Sequence, residues 1–340
     1  MSETETPEAL TSTQPALVVT RPGGREVLQV QDRPVPEPGP GEVLVEVAAA
    51  GVNFIDVYQR EGVYPMETPF VLGKEGAGTV RVLGDGVEGV SPGDRVAWAM
   101  TQGTTAGWAT LPAGSLVPVP DEVELETAAA AMLQGMTAHF LVTDCAPIGE
   151  GSVALVHAAA GGVGQLLVQM VVARGGHVVA TAGSEEKCAI ARSRGAAETI
   201  DYTAEDDLEG AIAEAAARLG APDGVDVAYD GVGAATFDAS LAALRPRGVL
   251  VLFGGASGQV PPFDIQRLNA GGSLYLTRPT LAHYIARREE LLRRGQEVLA
   301  AVASGELDVA VDGRYPMTEA AEAYAALEGR TSTGKLLLVP

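Results

Sequence analysis

The amino-acid sequence predicts an α/β protein in which a doubly wound parallel sheet is inserted into a smaller, mostly β unit. Three observations lead there. After Gly151, short apolar runs alternate strictly with stretches of helical spacing, the pattern of a parallel sheet covered on both faces. Residues 16 to about 120 are instead rich in valine, glycine and proline, with apolar runs set between Pro-Gly and Gly-Asp breakers, as in a small antiparallel β-domain. The stretch after residue 276 leaves the alternation and is too short to fold alone, so it is expected to rejoin the first unit.

The elements follow in order. "MSETETPEALTSTQP", residues 1–15, is polar and acidic and lacks the basic and apolar regions of a signal peptide, so a disordered tail is expected there. "ALVVT", "EVLVEVAAAGV", "GTVRVLG" and "DRVAWAM" read as strands. Over 121–144, "DEVELETAAAAMLQGMTAHFLVTD", alanine and leucine at helical spacing replace valine and predict a helix. Six strands then follow: "SVALVHA", "HVVATA", "ETIDY", "VDVAYDG", "GVLVLFGG" and "SLYLT". Helices lie between them, the clearest being "VGQLLVQMVVARG", "SEEKCAIARSRG" and "DDLEGAIAEAAARLG". Six strands with five connections fit a doubly wound nucleotide-binding domain. The remainder holds a long charged helix, "REELLRRGQEVLAAVASGEL", then "MTEAAEAYAALEGR" and a terminal strand in "GKLLLVP". The expected division is 16–136 with 277–340 as one unit and 137–276 as the other, with the cleft between them as the natural ligand site.

Charge and cysteine content narrow the function. The chain carries 44 Asp plus Glu against 23 Lys plus Arg, a formal net charge of −21. Such a surface repels phosphate backbones and anionic bilayers, which weighs against nucleic acid or membrane as the main partner. No apolar stretch has the length and uniformity of a membrane span, because glycine and charge interrupt each one. The two cysteines, Cys145 and Cys188, support neither a disulfide framework nor a cysteine-rich zinc site. They read as reduced thiols of a cytoplasmic protein. Only Lys74, Lys187 and Lys335 are lysine, a bias that makes any lysine within a motif more noticeable.

"HAAAGGVGQ", residues 157–165, ends the first strand of the alternating unit and opens its first helix. The fingerprint Gly-x-Gly-x-x-Gly falls on Ala159, Gly161 and Gly164, with Ala160, Gly162 and Val163 between and alanine in the first position. Alone, such a degenerate match serves a plain glycine corner equally well. Its place in the alternation turns it towards dinucleotide binding, with backbone amides and a helix dipole facing a pyrophosphate. At the end of the second strand, where NAD-preferring loops place an acidic residue on the ribose, this chain has Gly183 and Ser184, with Lys187 one helical turn further on. A 2′-phosphate would meet no carboxylate at that point, and Tyr202 is placed to cover the adenine-ribose end, so NADPH is the expected cofactor. Glu185 and Glu186 are equally what a surface helix start would show. Gln134, on the helix leading into the inserted unit, and Phe253, Gly254 and Gly255, at the carboxyl end of the fifth strand, are further candidates at the cofactor.

The segments "GVNFIDVYQR", "LGKEGAGTV", "GDRVAW", "LQGMTAHFL", "HAAAGGVG", "YDGVG", "GSLYLTRPTL" and "GRTSTGKLLL", in that order from residue 16 to the C-terminus, resemble the quinone oxidoreductases, the zeta-crystallin-like, zinc-free branch of the medium-chain dehydrogenase/reductase superfamily. The resemblance implies a chaperonin-10-like (GroES-like) catalytic domain joined to a Rossmann domain, a homodimer and NADPH as cofactor. It places Asn53 and Tyr58 beside the nicotinamide and ribose as catalytic candidates, with Tyr58 hydrogen-bonded to the reduced oxygen and water as the other proton source. It also matches Lys187, Tyr202 and Arg330 to positions that grip the NADPH phosphates. Tyr64 and Arg278 are further candidates for the cleft, although "TRP" is equally what a strand terminus and turn would show. Zinc-dependent cousins have cysteine where this chain has Asn53 and histidine where it has Lys74, so no metal is expected. The histidines, His139, His157, His177 and His283, read as structural or surface groups.

The expected activity is metal-free reduction of a quinone by NADPH. Reduction of activated double bonds, as in enones or 2-alkenals, is an alternative that the sequence leaves open. From another class come an NADPH-gated RNA binder and a structural, crystallin-like protein, the first disfavoured by the net charge of −21. "GSLYLT" would be the edge of the parallel sheet. An apolar edge needs either a covering loop or a partner, and pairing with its own copy would build an isologous dimer.

Overall fold

The computed structural model describes residues 12–340. The expected tail over 1–15 lies outside the described residues as far as residue 11. Its last residues, Thr13 to Pro15, correct that expectation, because they pair with Pro34 to Asp32 as the start of strand β1 (Thr13–Val19). The buried Gln14 side chain accepts the Trp108 N–H, which holds this polar stretch to the fold.

The first part of the chain is strand-rich. After β1 come β2 (Leu28–Pro34), β3 (Glu42–Gly51), a short helix α1 (Phe54–Arg60), β4 (Phe70–Val71), β5 (Glu75–Leu83), β6 (Arg95–Ala99), β7 (Trp108–Pro112) and β8 (Val117–Pro118). Helix α2 (Leu125–Phe140) then crosses to the second part. There, β9 (Val153–Val156), α3 (Gly162–Val172), β10 (His177–Ala182), α4 (Glu185–Ser193), β11 (Glu198–Asp201), α5 (Leu208–Arg218), β12 (Val225–Asp230), α6 (Phe237–Ala242), β13 (Leu244–Leu252), α7 (Gln266–Ala270) and β14 (Tyr275–Thr277) alternate. The chain ends with α8 (Leu281–Tyr284), α9 (Arg288–Ser304), β15 (Val311–Pro316), α10 (Ala320–Glu328) and β16 (Lys335–Val339).

The strands after α2 form a six-stranded sheet of order β11-β10-β9-β12-β13-β14, parallel throughout. The order reverses at β9 and β12, the topological switch point of a doubly wound sheet, outside whose carboxyl ends ligands bind. The last two strands leave this sheet. They extend a seven-stranded one, β15-β16-β3-β5-β6-β8 with β7 also on β3, in which β16 runs antiparallel to β3. A three-stranded sheet, β2-β1-β4, completes the strand-rich part.

Helix α2 fastens the two large sheets together. Ala128, Ala129, Ala130 and Ala131 are all 0% exposed, and side chains this small let the strands of the seven-stranded sheet approach on one side and α3 and α9 on the other. One apolar core therefore runs from Ala49, Ala77 and Ala97 of the seven-stranded sheet, through α2, to Val156 and Val178 of the parallel one. The contact between the two parts is thus core-like, and the cleft beside α2 has firm walls.

Candidate active site

A cavity of about 440 Å³ opens where the two parts meet, lined by Asn53, Tyr58 and Tyr64 on one side, Phe253, Gly254 and Arg278 on the other, and Gln134 from α2. On the parallel-sheet side the shape comes from backbone. Ala158 takes the left-handed conformation, φ 50°, and its carbonyl accepts the Gly161 N–H at 2.9 Å, closing a tight bend between β9 and α3. A Cβ on Gly164 would lie 2.3 Å from that carbonyl oxygen and 2.7 Å from the Ala159 Cα. A Cβ on Gly162 would lie 2.1 Å from Gln134 Oε1. Gly161, as N-cap of α3, faces protein only at 3.2 Å. The bend therefore needs its glycines for packing, and at Gly161, where α3 begins, no side chain comes within 4 Å of a Cβ position, which leaves the approach that a bound pyrophosphate requires. Ala160 is buried and Val163 lines the cavity.

Further along the same edge, a second group of sequence candidates comes together. The Tyr202 hydroxyl lies 2.6 Å from where a Gly183 Cβ would sit. Ser184 caps α4, its hydroxyl accepting the Lys187 N–H at 3.3 Å. The Lys187 ammonium donates to the Arg330 carbonyl at 2.5 Å, and the Arg330 guanidinium donates to the Ala256 carbonyl at 3.2 Å. Two cations, a phenol and a side-chain-free corner thus meet at one end of the cleft, with Gly183 in place of an acidic ribose ligand. These residues fit a dinucleotide carrying a 2′-phosphate.

The opposite wall is built from side chains. Tyr58, on α1, stacks edge-on with Tyr64 at 5.5 Å between centroids and reaches across to Gly255, whose Cβ position lies 3.7 Å from its hydroxyl. Burial pushes the phenol's pKa up, against the pull of the Arg278 guanidinium and the Gly255 backbone, so at neutral pH it carries its proton. Arg278, which follows β14 of the parallel sheet and faces this wall across the cavity, is the one charged side chain lining that cavity among the described residues. Its guanidinium meets only its neighbour's carbonyl, Pro279, at 3.5 Å, and it makes no ion pair among the described residues. In a chain so rich in carboxylates, an unpaired cation over an apolar cavity is a candidate anion site.

Asn53 reaches the cavity, but its amide is already engaged. Nδ2 donates to the Gly51 carbonyl at 3.1 Å and to Glu75 Oε2 at 2.9 Å, and Oδ1 accepts from Lys335 Nζ at 2.8 Å. Both amide hydrogens are spent on protein. Of the expected pair, Tyr58 has its hydroxyl facing the cleft, whereas Asn53 lines the cavity with its amide hydrogens bonded to protein and its oxygen shared with Lys335. Glu75 and Lys335 were not among the sequence candidates. The signal was present: one of only three lysines stands at the head of an otherwise apolar strand, "KLLLV".

This junction does not suit zinc. Lys335 Nζ sits 2.5 Å from Glu75 Oε2, and burial lowers the pKa of the half-buried Lys74 ammonium. A dication there would meet ammonium groups and a neutral amide in place of thiolate and imidazole donors. Among the described residues, no three His, Cys, Asp or Glu side chains gather as a metal cluster. His139 and His157 are buried structural groups, bonded to Glu297 and Thr181 respectively, and His177 and His283 are exposed.

Comparison with known proteins agrees with this architecture. Residues 39–121 match the alcohol dehydrogenase GroES-like domain and residues 162–300 the family described as zinc-binding dehydrogenase. A quinone oxidoreductase of Pseudomonas aeruginosa is 40% identical over 94% of this chain and 97% of its own length. A 2-haloacrylate reductase of a Burkholderia species is 36% identical over 96% and 98%. Among solved structures, a mycobacterial protein in complex with NADPH superposes with a TM-score of 0.92 at 46% identity, covering 96% of this chain and all of that one.

Proposed function

The chain belongs to the quinone oxidoreductase family of medium-chain dehydrogenases/reductases, and from this premise we propose that it reduces quinones with NADPH. The observation that carries the reading is the opening of the glycine bend into a cavity that also holds Tyr58 and Arg278. NADPH, when bound, supplies the hydride. The amides at Gly162 to Gly164 would hold its pyrophosphate, with Gly161 leaving room for its approach, Lys187, Tyr202 and Arg330 its adenosine end, and Gln134, Phe253 and Gly254 its nicotinamide end.

The remaining work falls to residues of this chain. As an acceptor oxygen gains negative charge, a fixed cation and a phenol hydrogen stabilise it more in the transition state than before it. Arg278 is the cation. Tyr58 is the donor, giving its proton to the oxygen and regaining one from water. The apolar lining, with Met100, Phe140 and Phe253, keeps water away and strengthens both interactions.

A second reading has its own support. An unpaired arginine in the cavity suits a substrate with a carboxylate beside an activated double bond, and a 2-haloacrylate reductase is among the relatives. Steady-state rates with NADPH and NADH against benzoquinone, naphthoquinone, an enone and a 2-haloacrylate separate the two. Quinone turnover with preference for NADPH is expected. Absent quinone turnover with strong 2-haloacrylate turnover would reverse the ranking, and equal use of NADH would overturn the assignment of Gly183 to Lys187. For assembly, the exposed edge strand β14, with Tyr275 61% exposed, supports a two-fold dimer through that edge, and sedimentation at micromolar concentration tests it.

A further inference from the structure

We propose that Glu75 and Lys335 form a buried positioning pair that ties α1 to α2 and so fixes Tyr58 relative to Gln134; the inference rests on the cleft being the active site. Both side chains are 0% exposed. Glu75 Oε2 holds the Lys335 ammonium at 2.5 Å and the Asn53 amide at 2.9 Å, while Lys335 also donates to Asn53 Oδ1 at 2.8 Å. The three polar groups close a triangle. Glu75 Oε1 turns the other way and accepts the N–H of Leu133 at 2.5 Å, in the middle of α2, where an N–H ordinarily belongs to the carbonyl one turn back. Asn53 is the N-cap of α1, and Leu133 directly precedes Gln134.

One carboxylate thus bridges the start of the helix that carries Tyr58 and the turn that carries Gln134. Lys335, from the C-terminal strand, neutralises it. The junction leaves no spare room, since a Cβ on Gly51 would fall 2.2 Å from Glu75 Oε2 and 2.7 Å from Lys335 Cε.

Two facts of physical chemistry separate positioning from mere stability. Burying a charge pair gains little over a neutral pair of the same shape, whereas removing one partner strands the other charge and is strongly destabilising. Stability is therefore recoverable in a double neutral variant, but the directed bonds to Asn53 are not. A displacement of the order of 1 Å between reacting groups costs about a hundredfold in rate.

The test compares K335M, E75Q and the E75Q/K335M double variant with the wild type in melting temperature, NADPH affinity, peptide hydrogen exchange and quinone turnover. The double variant is expected to melt within about 3 °C of the wild type, with faster exchange over 53–60 and 131–137. Its kcat should fall about tenfold to a hundredfold, with the KM for NADPH within about threefold of the wild type. Recovery of kcat together with melting temperature, with exchange unchanged at both segments, would overturn the proposal. Should the double variant not fold, N53A keeps the ion pair and removes only the strut, and unchanged exchange over 53–60 in that variant would equally overturn it. If the wild type turns over no quinone, the functional reading fails. The exchange measurements still decide on the pair.

Discussion

The two walls of the cleft are made from different materials. On the parallel-sheet side, Gly161, Gly162, Gly164, Gly183 and Gly254 shape the surface around the start of α3, and backbone amide makes most of what it offers there, with Lys187, Tyr202 and Arg278 standing further along the sheet's edge. On the strand-rich side, the surface is held by buried ionisable groups: Glu75 and Lys335 at 0% exposure, with Asp56 also at 0% and bonded to Tyr324 at 3.0 Å. A wall of backbone accepts a ligand common to many proteins, because every chain has amides to offer. A wall of side chains distinguishes one acceptor from another. Cofactor recognition and acceptor chemistry should therefore fail separately when each wall is altered.

The largest effect is expected on the backbone wall. Gly164→Val would set side-chain carbons against the Ala158 carbonyl, already only 2.3 Å from a Cβ, and neither strand nor helix can yield. NADPH affinity, read by fluorescence titration, should fall by a hundredfold or more, of order 3 kcal/mol. Gly162→Ala sharpens the point, because its obstacle is the end of the flexible Gln134 side chain, 2.1 Å away. That variant should lose only about threefold to tenfold. Equal losses in the two would mean that the bend does not meet the cofactor in the way described.

At the acceptor end of the cavity, just beyond β14, Arg278→Met removes the charged group that lines it among the described residues without opening a hole of comparable size. The expected result is a fall in kcat/KM for quinone of about a hundredfold, the usual consequence of losing one donor to a developing negative charge. NADPH affinity should stay within about twofold, since the phosphate-gripping candidates lie at the other end of the cleft. Arg278→Lys should restore part of the loss. A parallel drop in NADPH affinity would move Arg278 from the acceptor to the cofactor and erase the difference between the walls.

How far each wall was legible in the sequence follows from the same contrast. The glycine bend was readable because its demand is local: a strand, a turn and a helix within "SVALVHAAAGGVGQLLVQM" state it in consecutive residues. The alternation of strand and helix was readable for the same reason, and so was the return of "GKLLLVP" to the first sheet. The buried triangle was not, because Asn53, Glu75 and Lys335 come from three distant strand ends, and no spacing rule joins residues 260 apart. For Asn53 the resemblance gave the neighbourhood, the lining of the cavity, but not its bonds to Gly51, Glu75 and Lys335, since sequence cannot say which hydrogens of an amide are already bonded. Arg278 was visible only as a cleft residue. That it has no carboxylate partner among the described residues, in a chain so rich in acids, is a fact of three-dimensional arrangement.

Asp56 provides the smallest and most selective test of the side-chain wall. It lies on α1, two residues before Tyr58, and burial pushes its pKa up to about 6 from the ordinary 3.8, against its bonds to the Asn53 N–H and the Tyr324 hydroxyl. The sign follows from proton counting. As pH rises from about 4 to 6, the unfolded chain loses this proton while the folded one keeps it, so folding becomes less favourable across the window and stays so above it. A difference of about two between the values corresponds to roughly 3 kcal/mol at most. Most other carboxylates pull stability the opposite way, so the quantity to measure is the difference between the wild type and Asp56→Asn. An asparagine keeps an oxygen for the Asn53 N–H but has no proton to lose. Urea unfolding at pH 4, 5, 6 and 7 should show the variant gaining on the wild type through the window and then running level with it. Curves parallel from pH 4 to 7 would place the Asp56 carboxylate in contact with water, and the wall that carries Tyr58 would then owe less to buried charge than its geometry implies.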